Sequence, residues 1–192
     1  YLFRNFNLEI KEGSFTTIIG KNGSGKSTLA KILIGLYKAE GYIAIDGYLL
    51  NDFYMKKIRR EFSVCFDNAD NHFIGETVKD DLAFTLENLE YSKKEMTSSI
   101  NMIAKKFKLE DILELSPDKL TNSEKEKVMI ASALIHKPKI LLLDESIYKL
   151  NASDKKLIFK VLKEYQKEYK LTIILITHDL EDTLLSDNIL VL

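Results

Sequence analysis

Short apolar runs alternate with amphipathic stretches along this chain, the pattern of an α/β domain built on a largely parallel sheet. Runs at residues 6–10, 15–19, 42–45, 62–66, 140–143, 173–176 and 189–192 predict strands. Those at 140–143 and 173–176 are apolar without alternation, as strands covered on both faces must be, so they are expected at the centre of the sheet. Residues 29–37 follow the second run with a helical pattern. Between residues 67 and 118 the strand runs give way to helical periodicity, and Ser92-Lys93-Lys94-Glu95 is a capping box that opens a helix to about residue 106. The expected organisation is a single α/β domain. Its core spans residues 1–66 and 119–192 and carries an antiparallel edge portion, with a helical subdomain inserted at 67–118. No internal repeat or proline-rich linker interrupts this pattern, and the chain has only two prolines.

Composition narrows the picture a little further. A chain of 192 residues that is 45% hydrophobic can bury a sizeable single core. Basic residues number 28 and acidic ones 29, so nothing marks an electrostatic grip on nucleic acid or on anionic lipid. Cys65 is the sole cysteine and stands in an apolar run, which excludes an internal disulfide and suits a small core residue. No apolar stretch approaches the roughly 18 residues of a membrane-spanning helix, and no secretory leader pattern is present. Work at a membrane is therefore expected to go through partners.

The chemistry is concentrated at the ends of three predicted strands. After residue 19 comes Gly20-Lys21-Asn22-Gly23-Ser24-Gly25-Lys26-Ser27-Thr28, a glycine-rich turn running straight into a helix. Glycines let the backbone N–H groups turn inward around a phosphate, and the helix N-terminus faces the same negative charge. Asn22, Gly23, Ser24, Gly25, Lys26, Ser27 and Thr28 are the candidate phosphate-binding residues, with Lys26 reaching the outer phosphates and Ser27 a Mg²⁺ ion. The strand ending in Leu143 runs on into Asp144-Glu145. These two neighbouring carboxylates suit two roles, Asp144 as a Mg²⁺ ligand and Glu145 as the base for an attacking water. An acidic strand end is common by itself and gains meaning here from the phosphate-binding loop upstream. Thr177-His178-Asp179 closes the next strand, where the His178 imidazole is placed to stabilise charge on a terminal phosphate.

The order of these segments resembles that of the ATP-binding cassette (ABC) ATPases, P-loop proteins of α/β fold, and the resemblance covers nearly the whole chain. Asp67-Asn68-Ala69-Asp70-Asn71-His72-Phe73 and Thr77-Val78-Lys79-Asp80-Asp81-Leu82-Ala83-Phe84 are similar to the Q-N-P-D-N-Q-F and T-V-x-E-D-V-A-F segments of energy-coupling factor transporter ATPases. That subfamily powers uptake of vitamins and of cobalt or nickel ions. The resemblance implies ATP and Mg²⁺ as cofactors, and a second cassette ATPase as partner. It further implies a transmembrane scaffold, a substrate-binding membrane protein, and a place on the cytoplasmic face of the membrane.

Paired cassettes sandwich each ATP between the P-loop of one subunit and the signature helix of the other, and the departures from the family pattern sort by site. On the P-loop side Lys26, Ser27, Asp144, Glu145 and His178 match, while Asp67 stands where the family has the glutamine that contacts Mg²⁺ and senses the transmembrane partner. An added carboxylate there is expected to alter Mg²⁺ affinity or coupling. On the other side the signature segment is Leu120-Thr121-Asn122-Ser123-Glu124 in place of L-S-G-G-Q, and Asn151 stands where the D-loop has aspartate. Thr121 keeps a hydroxyl, but Asn122 and Ser123 replace the two glycines that let the helix approach the γ-phosphate. Thr121-x-x-Glu124 and Ser123-x-x-Glu126 also read as ordinary capping boxes, which stabilise a helix whatever else they do.

These features predict an ATP-binding subunit of an uptake transporter, working in an asymmetric heterodimer whose other ATPase supplies the intact signature. Hydrolysis is expected to be reduced at the site holding this chain's own signature. The alternatives are a catalytically weak regulatory cassette, a soluble cassette protein outside transport, and a P-loop small-molecule kinase, which leaves Glu145 and His178 unused. The family's adenine-stacking aromatic lies upstream of the first strand, and Tyr1 stands too close to that strand to serve, while relatives continue past residue 192. The chain is thus expected to be either a fragment or a shortened domain, truncated at both ends relative to the family.

Overall fold

The computed structural model describes residues 3–67 and 73–192. The sheet is five-stranded, in the order β4 (Phe62–Cys65), β5 (Ile140–Asp144), β6 (Thr172–Thr177), β1 (Phe15–Ile19), β7 (Asn188–Val191). β1 runs parallel to both β6 and β7, and β5 runs parallel to β6. A separate antiparallel pair, β2 (Ala44–Ile45) and β3 (Tyr48–Leu49), supplies the expected antiparallel portion. Each of the six residues of β6 is buried, the burial that its unbroken apolar run anticipates.

Two compact units divide the chain. The first holds residues up to Val64, Pro138–Glu145 and Gln166–Leu192. Its core gathers Ile18 of β1, Leu142 of β5, and Ile174 and Ile176 of β6 with Leu29 and Ala30 of helix α1 (Lys26–Leu33) and Ile58 of helix α2 (Met55–Glu61). The helical pattern expected over 29–37 stops at Leu33, because Gly35 takes a left-handed φ of 75° and Leu36 N–H folds back to the Lys31 carbonyl. Residues 6–10 were expected as a strand and form no ladder. Leu8 and Ile10 nevertheless pack on the core from alternate positions of this segment, so their apolar period reflects burial without sheet pairing. The expected strand over 42–45 shortens to Ala44–Ile45, leaving Tyr42 exposed.

The second unit holds Cys65–Lys137 and Ser146–Tyr165. Helices α3 (Val78–Asn88), α4 (Lys93–Phe107) and α5 (Asn122–Leu134) pack on one another, with Leu82, Leu86, Ile103, Phe107, Ile130 and Leu134 fully buried. Each begins with a reciprocal capping box, Thr77 with Asp80, Ser92 with Glu95, and Thr121 with Glu124. The segment expected as a helical insert, 67–118, lies in this unit. The unit also takes in α5 and most of helix α6 (Ala152–Tyr169). The reason is packing, since α3 and α4 both lie against α5. Cys65 is buried, as a small core residue should be, and its thiol donates weakly to the Met129 carbonyl at 3.8 Å.

Candidate nucleotide-binding site

Register assembles the site in the first unit. Ile19 of β1 lies opposite Thr177 of β6 and Val191 of β7, and Asp144 of β5 lies opposite Ile176 of β6. The parallel strands therefore end side by side, and the loop after β1, the acids ending β5 and the histidine after β6 share the carboxyl edge of the sheet. In open α/β sheets this is the edge where ligands bind.

The loop from Gly20 to Gly25 has the backbone that its glycines allow. Gly23 and Gly25 take φ of 84° and 104°, the second as the N-cap of α1, a region in which any other residue is strained. Gly20 is required for a different reason: a Cβ there meets the Leu192 carbonyl oxygen at 2.4 Å and the Ser24 hydroxyl at 2.7 Å. Lys26 is 5% exposed, and its ammonium donates to the carbonyls of Gly20 at 2.9 Å and Lys21 at 3.1 Å. No carboxylate is among these acceptors, so its charge is held at the loop without being neutralised there. The Ser24 hydroxyl is buried and has no hydrogen-bond partner among the described residues. Such a group is costly to bury unless something accepts or donates to it.

Ser27 Oγ donates to Asp144 Oδ1 at 3.3 Å, joining the start of α1 to the end of β5. Burial pushes the Asp144 carboxyl above its ordinary range, Glu145 beside it adds to the rise, and the Ser27 hydrogen bond with Lys31 and Lys26 opposes it. The backbone turns sharply at Glu145, which adopts a left-handed φ of 52° and donates its N–H to the Ile176 carbonyl at 3.0 Å. That turn carries the carboxylate to 3.7 Å from His178 Nδ1. Thr177 and Asp179 brace the histidine. Asp179 N–H donates to Thr177 Oγ1, which donates to Asp182 Oδ2 at 2.7 Å, and Asp179 caps the 3₁₀ turn Leu180–Leu185. The oxygen pair of Ser27 and Asp144, the glycine cradle, the ammonium and the orphaned Ser24 hydroxyl fit a nucleotide phosphate with a hard divalent cation.

The remaining predicted residues lie in the second unit. Asp67 Oδ1 stands 3.3 Å from Lys149 Nζ, and the same ammonium lies 3.9 Å from the fully buried Glu126. The carboxylate that departs from the family's glutamine is thus ion-paired within its own unit. Asn68 to His72, which carry most of the Q-N-P-D-N-Q-F resemblance, fall outside the described residues, as does Tyr1. In the signature segment, Leu120 is buried, Thr121 is the N-cap of α5 and Glu124 closes its capping box, while Asn122 is exposed. Ser123 does not cap with Glu126. Its hydroxyl donates to Asp154 Oδ2 at 2.6 Å, because α5 already includes it and Asp154 lies within reach. Asn151 donates from Nδ2 to Ser123 Oγ at 3.1 Å and to Asp154 Oδ2 at 2.8 Å. Lys127, Lys149 and Asp154 were not anticipated. Only Lys127 carries a signal, since Ser123, Glu126 and Lys127 share a face of α5 at i, i+3 and i+4.

A phosphate cradle, an acidic strand end and a bracketed histidine on the carboxyl edge of a parallel sheet define a P-loop ATPase of the cassette class. The chain belongs to the ABC transporter family, whose model matches residues 3–148. It is 42% identical over 189 residues to the energy-coupling factor transporter ATP-binding protein EcfA of Pediococcus pentosaceus, covering 98% of this chain and 68% of that protein. Identity to EcfA1 of Ligilactobacillus salivarius is 40%, over the whole chain and 68% of that protein. Among solved structures, cbiO1 of Clostridium perfringens, described as part of the ABC transporter complex cbiONQ, superposes with a TM-score of 0.87. It is 32% identical, with 97% of this chain and 76% of that one covered. The ATP-binding cassette MJ0796, solved as a dimer, gives a TM-score of 0.88 at 30% identity, covering 100% and 86%. MJ0796 has also been solved as a dimer bound to ADP and Pi.

Proposed function

We propose that this chain is the ATP-hydrolysing cassette subunit of an uptake transporter that imports a vitamin or a transition-metal ion. It acts on the cytoplasmic face of the membrane through a transmembrane scaffold and a substrate-binding membrane protein. The observation that carries this reading is the joined set Lys26, Ser27–Asp144 and Glu145–His178 on one sheet edge, in a chain similar to energy-coupling factor ATPases. No helix among the described residues is long and apolar enough to cross a membrane.

In this mechanism the backbone from Asn22 to Thr28 and the N-terminus of α1 hold the phosphates, and Lys26 leaves the loop carbonyls to meet the outer ones. Ser27 and Asp144 would hold Mg²⁺, which supplies charge neutralisation at the phosphates when bound. Glu145 orients a water and takes its proton, and His178 contacts the γ-phosphate and fixes the carboxylate's direction. The partner is a second cassette ATPase with an intact signature facing this P-loop, while the site built on Thr121 to Glu124 mainly holds ATP.

Affinity purification from gently solubilised native membranes, followed by mass spectrometry, tests the reading. A second cassette ATPase recovered with a scaffold and a small membrane protein supports it; a soluble complex, or the chain alone, sinks it. A regulatory cassette is the rival reading, favoured by the commitment of Ser123 and Asn151 to bonds within the chain. It predicts that Glu145→Gln leaves the hydrolysis rate of the assembled complex unchanged, whereas the main reading predicts a fall of roughly 10²-fold or more.

A further inference from the structure

Two of the side chains that depart from the cassette pattern in the second unit, Ser123 and Asn151, touch each other. Asp154 collects three donors, Ser123 Oγ at 2.6 Å and Asn151 Nδ2 at 2.8 Å on one oxygen and Lys127 Nζ at 3.2 Å on the other. Asn151 also donates to Ser123 Oγ from Nδ2 at 3.1 Å and from its backbone N–H at 3.3 Å. Its Oδ1 accepts from the Asp154 N–H at 2.9 Å and from Ser153 Oγ at 2.7 Å. No other orientation of the amide fits, since reversing it sets its NH₂ against the Asp154 N–H. Burial pushes the Asp154 carboxyl up, and the bonds from Ser123, Lys127 and Asn151 outweigh it and hold the group below its usual range.

The residues of the family pattern cannot be placed here one at a time. An aspartate at 151 has no side-chain N–H to give, and it sets a second carboxylate against Asp154. A glycine at 123 removes the shortest bond and leaves Asp154 with fewer donors. We infer that Ser123 and Asn151 are a matched pair of positioning residues which, through Asp154 and Lys127, fix the start of α6 onto the first turns of the signature helix. The pair thereby withdraws the Ser123 hydroxyl and the Asn151 amide from the nucleotide that this signature faces. The pairing itself needs only the geometry above; its effect on hydrolysis rests on the transporter-cassette reading.

A double-mutant cycle tests both halves separately. In the purified full chain, Ser123→Gly and Asn151→Asp are each expected to raise the unfolding equilibrium constant about tenfold or more in urea, and the double variant to lose clearly less than the product of the two. Ser123→Thr, which keeps the hydroxyl, stays close to the parent. Additive losses, or a Ser123→Thr as damaged as Ser123→Gly, overturn the pairing whatever the protein's role. In the assembled complex, the folded double variant is expected to raise kcat for ATP at least a few-fold with KM within about twofold. An unchanged or lowered kcat in a double variant that still assembles overturns the functional half alone.

Discussion

Glu145 turns through the left-handed region directly after the buried Asp144, a backbone state that costs a non-glycine residue about 1–3 kcal/mol and is kept where the surroundings impose it. Here the Ile176 carbonyl fixes the turn by accepting the Glu145 N–H, and the outcome is a carboxylate aimed at His178. Glu145→Gln keeps that shape and removes the base, so nucleotide binding is expected to persist while turnover falls roughly 10²-fold or more, read by ATP-binding titration beside single-turnover hydrolysis. Lys149 concerns the second unit. It faces a half-exposed Asp67 and a fully buried Glu126. An ion pair as exposed as the first contributes at most about 1 kcal/mol, whereas taking a cation away from a buried carboxylate costs more. Urea unfolding should therefore show Lys149→Met losing more stability than Asp67→Asn, and equal losses would remove Glu126 from the account. Because Asp67 is already ion-paired, Asp67→Gln is expected to shift the Mg²⁺ dependence of hydrolysis only modestly; a large shift would mean that its charge reaches the cation.

The helices of the second unit show why some local features could be read directly and others could not. Capping boxes are local, and Ser92 with Glu95 and Thr121 with Glu124 form as their spacing implies. Ser123-x-x-Glu126 has the same spacing and does not form, because only one N-cap can start a helix and Thr121 holds it. Losing the Ser92 hydroxyl is expected to cost about 1 kcal/mol. The Ser92 hydroxyl and backbone bonds hold the Glu95 carboxyl below its ordinary value. A lowered folded-state value gives stability that is present above the unfolded carboxylate range and lost as pH falls through the folded value. The gap between the parent and Ser92→Ala should accordingly narrow in acid, below about pH 4, and a gap constant down to pH 2 would mean that the carboxylate plays no part. At residues 6–10 the apolar period of Leu8 and Ile10 was legible, but period records which positions are buried and is silent on whether a neighbouring strand accepts the backbone bonds.

At the scale of the whole molecule, Cys65 offers a probe of cooperative integrity. Burial, and behind it the Glu126 charge, push its thiol well above the ordinary range, and its side chain is fully enclosed. Only the thiolate reacts, so thiol reagents should modify the native chain orders of magnitude more slowly than the chain in denaturant. Labelling of the folded protein at the free-thiol rate would contradict this burial. The sequence by itself determined the α/β class and the three strand ends that carry Lys26, Asp144, Glu145 and His178. Alternation, glycine placement and strand-terminal polarity are short-range signals, readable wherever the chain is read. Tertiary structure alone decided that Ser27 and Asp144, far apart in sequence, share a hydrogen bond, since register between parallel strands is set by the packing of the whole sheet. It alone decided that Asp67 pairs with Lys149, and that Ser123 and Asn151, each read singly as a lost family residue, satisfy one another around Asp154. Polar side chains find partners by proximity in space, and nothing in the spacing of residues along a chain records which of them folding will bring within hydrogen-bonding distance.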